Sequence, residues 1–166
     1  MAREKKYAML IDMRRCIGCK ACMTSCKAEN DVPLGVFRNH VRELEKGRYP
    51  NVRKINFPVL CNHCDEPACK AACKVEGAIY KRNDGIVLWD ESKCKDADCA
   101  KECVNACPYA NPYVHPQSGK FNKCNYCVHR VDAGLQPACV ATCLGGVRIF
   151  GDVNDPDLPP LDRSSF

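Results

Sequence analysis

Sixteen cysteines in four groups of four are the residues of this chain whose type and spacing could do chemistry. Thiolates are soft ligands, and four of them complete the coordination of a cubic [4Fe–4S] cluster. Each group ends in two cysteines separated by three residues. The groups are Cys16, Cys19, Cys22 and Cys26; Cys61, Cys64, Cys69 and Cys73; Cys94, Cys99, Cys103 and Cys107; and Cys124, Cys127, Cys139 and Cys143. The pattern predicts four [4Fe–4S] clusters and one-electron chemistry.

The first group has the unmodified C-x2-C-x2-C-x3-C spacing of bacterial ferredoxins. Its small residues Gly18 and Ala21 allow backbone N–H groups to approach the cluster sulfurs. In such ferredoxins the fourth cysteine of one run ligates the other cluster. We therefore expect the last cysteine of each group to lie at the start of a helix and to reach a neighbouring cluster.

A short hairpin is predicted between the second and third groups, because Asn-Asp-Gly at residues 83–85 separates two short apolar runs. Residues 51–114 are expected to form one ferredoxin-like unit that carries groups two and three. Residues 1–50 and 115–150 would form a second unit around groups one and four, and residues 151–166 an extended tail. The predicted fold class is α+β, with two interleaved, loop-rich ferredoxin-like units organised around four iron–sulfur clusters.

The ferredoxin arrangement also suggests which cysteines share a cluster. If the last cysteine of each group crosses to a neighbouring cluster, group one pairs with group four, and group two with group three. The hypothetical ligand sets are Cys16, Cys19, Cys22 and Cys143; Cys124, Cys127, Cys139 and Cys26; Cys61, Cys64, Cys69 and Cys107; and Cys94, Cys99, Cys103 and Cys73.

Zinc sites and disulfides are the alternative uses of these cysteines. The pairs Cys61/Cys64 and Cys124/Cys127 could each belong to a zinc site, but the spacing of group one is that of a cluster. Disulfides are typical of exported proteins, so the lack of an export signal argues against a disulfide framework in this chain. His63, inside group two, is interpreted as a hydrogen-bonding or packing residue, because the cysteines already complete four clusters.

The composition narrows the class of protein. Eleven prolines and ten glycines in 166 residues leave little room for long helices, and no apolar run is long enough to span a membrane. The charged amino terminus lacks an export signal, so we expect a cytoplasmic protein, or one exported to the periplasmic side with a signal-bearing partner. Clusters of about −2 each would outweigh the net charge of +5, so no nucleic-acid partner is expected. Lys123 is interpreted as a surface charge, with tuning of a cluster potential or docking of a partner as the alternatives.

Beyond the cysteines, the chain resembles the four-cluster electron-transfer subunits of molybdenum and tungsten pterin oxidoreductases, in particular those of polysulfide, thiosulfate and dimethyl sulfoxide reductases. The small subunit of tungsten aldehyde oxidoreductases is also similar. The matching segments surround the cysteine groups at residues 8–12, 26–30, 60–64, 107–109, 123–127 and 137–139. The chain departs from this family where Lys74 and Leu144 replace a proline, and where the third group is wider than usual.

The resemblance implies a non-catalytic electron-transfer subunit of an oxidoreductase complex. Such a subunit would relay single electrons between a large molybdenum- or tungsten-pterin catalytic subunit and a second redox partner. That partner could be a membrane quinone subunit, a flavin subunit or a ferredoxin. The chain shows no catalytic constellation of its own. The alternative is a carrier linked to a hydrogenase or a formate hydrogenlyase, or a free polyferredoxin.

Overall fold

A computed structural model of the chain describes residues 5–156. The strands are β1 (Tyr7–Ile11), β2 (Asn39–Arg48), β3 (Asn51–Leu60), β4 (Ile79–Lys81), β5 (Val87–Trp89), β6 (Tyr113–Val114), β7 (Phe121–Asn122) and β8 (Arg148–Asp152). The helices are α1 (Ala21–Asn30), α2 (Ala68–Ala71), α3 (Ala97–Asn105), α4 (Val128–Asp132) and α5 (Ala138–Ala141), and a 3-10 turn covers Met13–Arg15. Helices and strands are mixed, and most are short because cysteine loops, prolines and glycines interrupt them.

The first and last strands of the described residues meet in one sheet. β1 pairs antiparallel with β8, from Tyr7 opposite Asp152 to Ile11 opposite Arg148. Helices α1 and α5, which carry cysteines of groups one and four, also contact each other. β8 includes the first two residues of the predicted tail, whereas residues 157–166 of that tail lie outside the described residues.

The hairpin predicted around residues 83–85 is present. β4 and β5 pair antiparallel, with Ile79 opposite Trp89. Gly85 lies in the turn with φ +86°, a conformation that glycine adopts without strain. β6 and β7 form another small hairpin that contacts α3, and α3 contacts α2. Groups two and three are therefore held by elements that touch one another.

The longest strands, β2 and β3, form an antiparallel hairpin that the sequence analysis does not anticipate. The strands pair in register from Asn39 opposite Leu60 to Arg48 opposite Asn51. Only the base of the hairpin is buried, with Val41 and Pro58 inside. The predicted boundary between residues 50 and 51 falls in the turn, so it divides a single structural element.

The hydrophobic core is built partly from cysteine. Val87 and Phe121 pack with cysteines of groups two and three, and Leu60 and Phe150 pack with Cys124 in a second cluster. A core of this kind buries little apolar surface, so we expect bound metal to contribute to folding stability. Within residues 5–156, no helix is long and apolar enough to cross a bilayer.

Candidate metal centres

In every group the third cysteine lies within a helix. These residues are Cys22 in α1, Cys69 in α2, Cys103 in α3 and Cys139 in α5. The fourth cysteine follows about one helical turn later, beyond the helix end in groups two to four, whereas Cys26 lies inside α1. The expectation that the last cysteine begins a helix is therefore wrong. Four residues at the helical rise separate two backbone positions by about 6 Å along the axis, so the third and fourth cysteines can reach different neighbours.

One cavity of about 290 Å³ is lined by four cysteines from two groups. The cysteines are Cys61, Cys64, Cys69 and Cys107. The first three belong to group two, and the last closes group three. The structure thus brings together the members of one hypothetical ligand set, with space between their side chains.

Two narrower cavities collect eight further cysteines. Cys73, Cys94, Cys99 and Cys103 line one of them, and Cys16, Cys19, Cys22 and Cys143 line the other. Each cavity contains three cysteines of one group and the last cysteine of another. These are the combinations that the ferredoxin arrangement suggests.

The remaining four cysteines are all buried: Cys26, Cys124, Cys127 and Cys139. Burial, followed by the charge of Cys127, raises the pKa of the Cys26 thiol. Burial and the charges of Cys127 and Cys26 raise the pKa of Cys139 to about 12. The side-chain amide of Asn30 donates to the Sγ of Cys127 at 3.4 Å and lies 3.8 Å from the Sγ of Cys26. These contacts join cysteines of groups one and four.

Ionising the buried thiols without a counter-charge is unfavourable. Burial raises the pKa of Cys124 far above its ordinary value, and burial with the charge of Cys73 raises the pKa of Cys103 to about 12. A metal deprotonates the thiols that coordinate it, and its binding releases those protons. An iron core supplies the positive charge that four neighbouring thiolates need, so the cysteine sets fit such a group.

Backbone N–H groups point at several sulfurs. Those of Tyr126 and Val147 donate to the Sγ atoms of Cys124 and Cys143, at 3.4 and 3.3 Å. Hydrogen bonds to ligand sulfurs are one of the factors that set the reduction potential of a cluster. With clusters bound, the loops around the cysteines would contribute to redox tuning as well as to ligand placement.

Lys123 places a positive charge beside the 290 Å³ cavity that it helps to line. Its side chain is 0% exposed, and its ammonium donates to the carbonyl oxygens of Val87 at 2.5 Å and Cys124 at 2.9 Å. Burial raises the pKa of the Cys61 thiol, and the Lys123 ammonium opposes that shift. The interpretation of Lys123 as a surface charge is therefore wrong. No local sequence pattern distinguishes this lysine from an exposed one.

Arg148 is a second buried cation that sequence reasoning missed. One terminal nitrogen of its guanidinium lies 3.5 Å from the Sγ of Cys22 and donates to the Oδ1 of Asn39 at 3.3 Å. The other terminal nitrogen is buried and has no hydrogen-bond partner within residues 5–156. Buried donors in native proteins are generally satisfied. A cluster beside Cys22 would bring acceptor sulfurs to this donor.

The alternatives from the sequence can be compared with the structure. All sixteen cysteines are free thiols, so the structure does not contain the disulfide framework. Within residues 5–156, no three His, Cys, Asp or Glu side chains are grouped as ligands of a single metal ion. The Nδ1 of His63 accepts from the backbone N–H of Val87 at 2.9 Å, and its ring packs against Tyr126. This confirms the hydrogen-bonding and packing role of His63.

Two family profiles match the chain. The 4Fe-4S dicluster domain matches residues 52–153, which is more than half of the chain, and the 4Fe-4S binding domain matches residues 7–28. Together these matches include all four cysteine groups.

Curated proteins that are similar over most of the chain are subunits of reductases and dehydrogenases. A tetrathionate reductase subunit of Salmonella typhimurium is 48% identical over 153 residues, which cover 91% of this chain and 60% of that protein. A sulfite dehydrogenase subunit of Allochromatium vinosum is 41% identical over 174 residues, which cover 92% of this chain and 71% of that protein. The thiosulfate reductase electron transfer subunit of Salmonella typhi is 39% identical over 156 residues, which cover 92% of this chain and 79% of that protein. The chain thus spans less than two thirds of the length of the tetrathionate reductase subunit and more than two thirds of the length of the other two relatives.

Proposed function

Because the chain belongs to the iron–sulfur subunit family of molybdenum-pterin reductases, we propose that it relays single electrons through four [4Fe–4S] clusters between a pterin catalytic subunit and a second redox partner. The chain binds 4Fe–4S clusters and is an electron-transfer subunit rather than a catalytic one. When bound, the clusters supply one-electron oxidation and reduction. The observation that carries the proposal is the presence of four cysteine sets, each drawn from two groups.

We assign one cluster to each set. The ligand sets are Cys16, Cys19, Cys22 and Cys143; Cys26, Cys124, Cys127 and Cys139; Cys61, Cys64, Cys69 and Cys107; and Cys73, Cys94, Cys99 and Cys103. The shared cavities support three of these sets, and the side-chain amide of Asn30, which reaches the sulfurs of both Cys26 and Cys127, supports the other. The β1–β8 sheet and the contact of α1 with α5 support pairing groups one and four in one ferredoxin-like unit, interleaved with a unit of groups two and three.

The contacts between sets support a linear relay. Cys69 packs with Cys103 in one part of the buried core. Cys61 packs against a second part that contains Cys124, and Cys22 packs with Cys139 in a third. The sets that contain Cys103, Cys69, Cys124 and Cys22 therefore follow one another in that order. The protein's part in the transfer is to hold successive clusters near each other and to shield the inner ones from water.

A catalytic partner is supported because the relatives are named as subunits of reductases and dehydrogenases. The second partner remains a proposal: a membrane quinone subunit, a flavin subunit or a ferredoxin. The metal of the pterin partner is proposed to be molybdenum, with tungsten as the other metal of this chemistry. The cytoplasmic location, with the periplasmic alternative, also stays a prediction.

Elemental analysis of the tagged chain, purified natively without oxygen, tests this function. We expect about sixteen iron atoms per chain beyond any iron on the partner, with near-stoichiometric molybdenum. About twelve iron atoms would show that one set, foremost the widened third group, holds no normal cluster. Nickel in place of molybdenum would favour the alternative function of a hydrogenase-linked carrier. Zinc without iron would contradict the assignment.

The set that contains Cys19 is expected to be the most sensitive to oxidants. Cys19 is exposed, whereas every cysteine of the set with Cys124 is buried. Since an oxidant reaches an exposed cluster corner first, mild treatment with ferricyanide should convert this cluster to a [3Fe–4S] form before the others. Electron paramagnetic resonance (EPR) during the titration measures the order of loss. The early signal should be missing from Cys16→Ala and present in Cys124→Ala, and an early signal that survives in Cys16→Ala would contradict the expectation.

A further inference from the structure

The β2–β3 hairpin carries an outward face of unusual composition. Side chains alternate along a strand, so the register of β2 with β3 defines which residues share a face. The opposite, inward face contains Val41 and Pro58, which are buried at the base against the body of the protein. The exposed outward residues, which we call the outer hairpin face, are Arg42, Leu44, Lys46, Arg48, Asn51, Arg53, Ile55 and Phe57.

All charged residues of the outer hairpin face are cationic. Lys46 lies directly opposite Arg53, an arrangement that destabilises an antiparallel pair. Within residues 5–156, neither of these cations is joined to a carboxylate. On the inward face, by contrast, Glu43 binds Lys54 at 2.6 Å and Lys20 at 2.9 Å. The outer hairpin face therefore carries positive charge that no acid of the described chain neutralises.

Apolar side chains lie beside these cations. Leu44 is opposite Ile55, and both are exposed, as is Phe57. Every residue from Glu43 to Ile55 is exposed. A two-stranded hairpin that is exposed on both faces is marginally stable in water. A surface that covers the apolar side chains would stabilise it by removing them from solvent.

A cavity of about 390 Å³ opens at the base of the outer hairpin face. Its mostly apolar walls include Phe57, Met13 and Tyr109, which are themselves exposed. Asn111 also lines this cavity, and its side-chain oxygen is buried with no hydrogen-bond partner among the described residues. The space suits a large side chain that is apolar apart from one donor, because such a donor would satisfy Asn111.

We propose that the outer hairpin face and the cavity at its base form the docking surface for the catalytic subunit, through a patch on that subunit that combines carboxylates with an inserted aromatic side chain. The carboxylates pair with Lys46 and Arg53, and the aromatic side chain fills the cavity above Asn111. This inference deepens the proposed function and rests on it.

The position of the hairpin gives the docking a redox consequence. The side-chain amide of Asn56 donates to the carbonyl oxygen of Cys16 at 2.9 Å, and Val41 and Pro58 line the cavity of the set that contains Cys16. A partner held on the hairpin therefore lies at that end of the relay. A protein surface suits this site better than a membrane does, because the cavity at the base can take an inserted side chain and the outer face interleaves cations with apolar residues, from Arg42 opposite Phe57 to Lys46 opposite Arg53.

Paired substitutions on the two faces of the hairpin test the proposal in the native complex, purified through a tag on the full chain. Lys46→Glu/Arg53→Glu reverses both charges of the cationic pair that the proposal assigns to the contact, and Ile55→Ser removes an apolar contact. We expect at least a roughly tenfold fall in retained molybdenum per chain for the charge reversal, and a smaller loss for Ile55→Ser. The wild-type complex should also lose molybdenum as salt is added, because exposed charges are screened.

Val52→Ser is the matched control, since Val52 lies on the inward-facing register of the same hairpin and is 48% exposed against 37% for Ile55. It should retain molybdenum as the wild type does. The iron held by the chain itself, beyond any iron on the partner, and the EPR spectrum of its own clusters should be unchanged in all variants, which separates lost docking from lost folding.

The possible results separate the two proposals. Selective loss of molybdenum from the outer-face variants supports the docking surface. Equal retention in all variants overturns it and leaves the electron-transfer function standing. A wild-type complex that carries iron but no pterin metal overturns the catalytic partner and this surface together. A change in self-association of the chain, or in binding to anionic lipid vesicles, with molybdenum retained would assign the face to a second copy or to a membrane and would also overturn the proposal.

Discussion

The Cys16→Ala/Cys143→Ala double variant is expected to lose about as much iron as either single variant, roughly four atoms of about sixteen per chain. The two residues lie far apart in sequence but line one cavity, so the second substitution removes a ligand from a cluster that is already lost. The Cys16→Ala/Cys26→Ala variant should lose about eight atoms, because those neighbours in sequence belong to two different sets. Iron analysis of the anaerobically purified chains measures both.

The comparison is informative because it reverses the expectation from the sequence groups. If each group of four held its own cluster, the Cys16/Cys26 double variant would lose no more iron than either single variant. The Cys16/Cys143 double variant would then lose the sum of the two single losses. That result would overturn the cross-group assignment. Where a double variant accumulates poorly, the EPR spectra of the single variants give the same answer: Cys16→Ala and Cys143→Ala should lack the same signal, and Cys26→Ala and Cys124→Ala should share the loss of another.

Replacing Lys123 by methionine is expected to lower the reduction potential of the cluster assigned to Cys61, Cys64, Cys69 and Cys107. Reduction adds negative charge, which the buried Lys123 ammonium stabilises. A unit charge at roughly 5 Å, in an effective dielectric constant of about 20, contributes about 3 kcal/mol, so we expect a shift of the order of 100 mV. An EPR-monitored redox titration of the intact chain measures the potential of each cluster.

Further variants separate the effect of the Lys123 charge from any structural effect of replacing Lys123. Lys123→Gln, which keeps donor hydrogens but loses the charge, should shift the potential as Lys123→Met does, whereas Lys123→Arg should largely restore it. Lys101, an exposed lysine on α3 that pairs with Asp98, provides the control. Lys101→Met should change little, because solvent screens an exposed charge. A potential that is unchanged in Lys123→Gln would contradict electrostatic tuning and leave Lys123 a purely structural role.

The site was more predictable from the sequence than the fold that carries it. Cluster ligation needs particular residues at particular spacings, and these appear directly in the cysteine groups. The turn at Gly85 was also predictable, because its signal is local. The position of the helices was not, since a C-x3-C spacing is compatible with a helix before, between or after its cysteines. The antiparallel pairing of β1 with β8 depends on contacts between distant segments, which local patterns do not encode.

The β2–β3 hairpin and Lys123 were missed for different physical reasons. Along β2 and β3, charged residues occur on both faces, so the alternation of apolar and polar residues that indicates a strand is weak. Lysine is almost always exposed, and its burial depends on two carbonyl acceptors supplied by the backbone at Val87 and Cys124. Both features became visible only when tertiary contacts were known.

The pairing of the first strand with the last also constrains how the protein is made. During synthesis, the segment with Cys61 and Cys107 leaves the ribosome well before Cys143 and β8. The two ligand sets of groups two and three can therefore be complete while the sets that join groups one and four still lack members. We expect iron–sulfur insertion to be vectorial, with the sites of groups two and three loaded first and those of groups one and four loaded only after β8 is released. A nascent chain truncated before group four would then hold half of its clusters and leave the four cysteines of group one open to the assembly machinery.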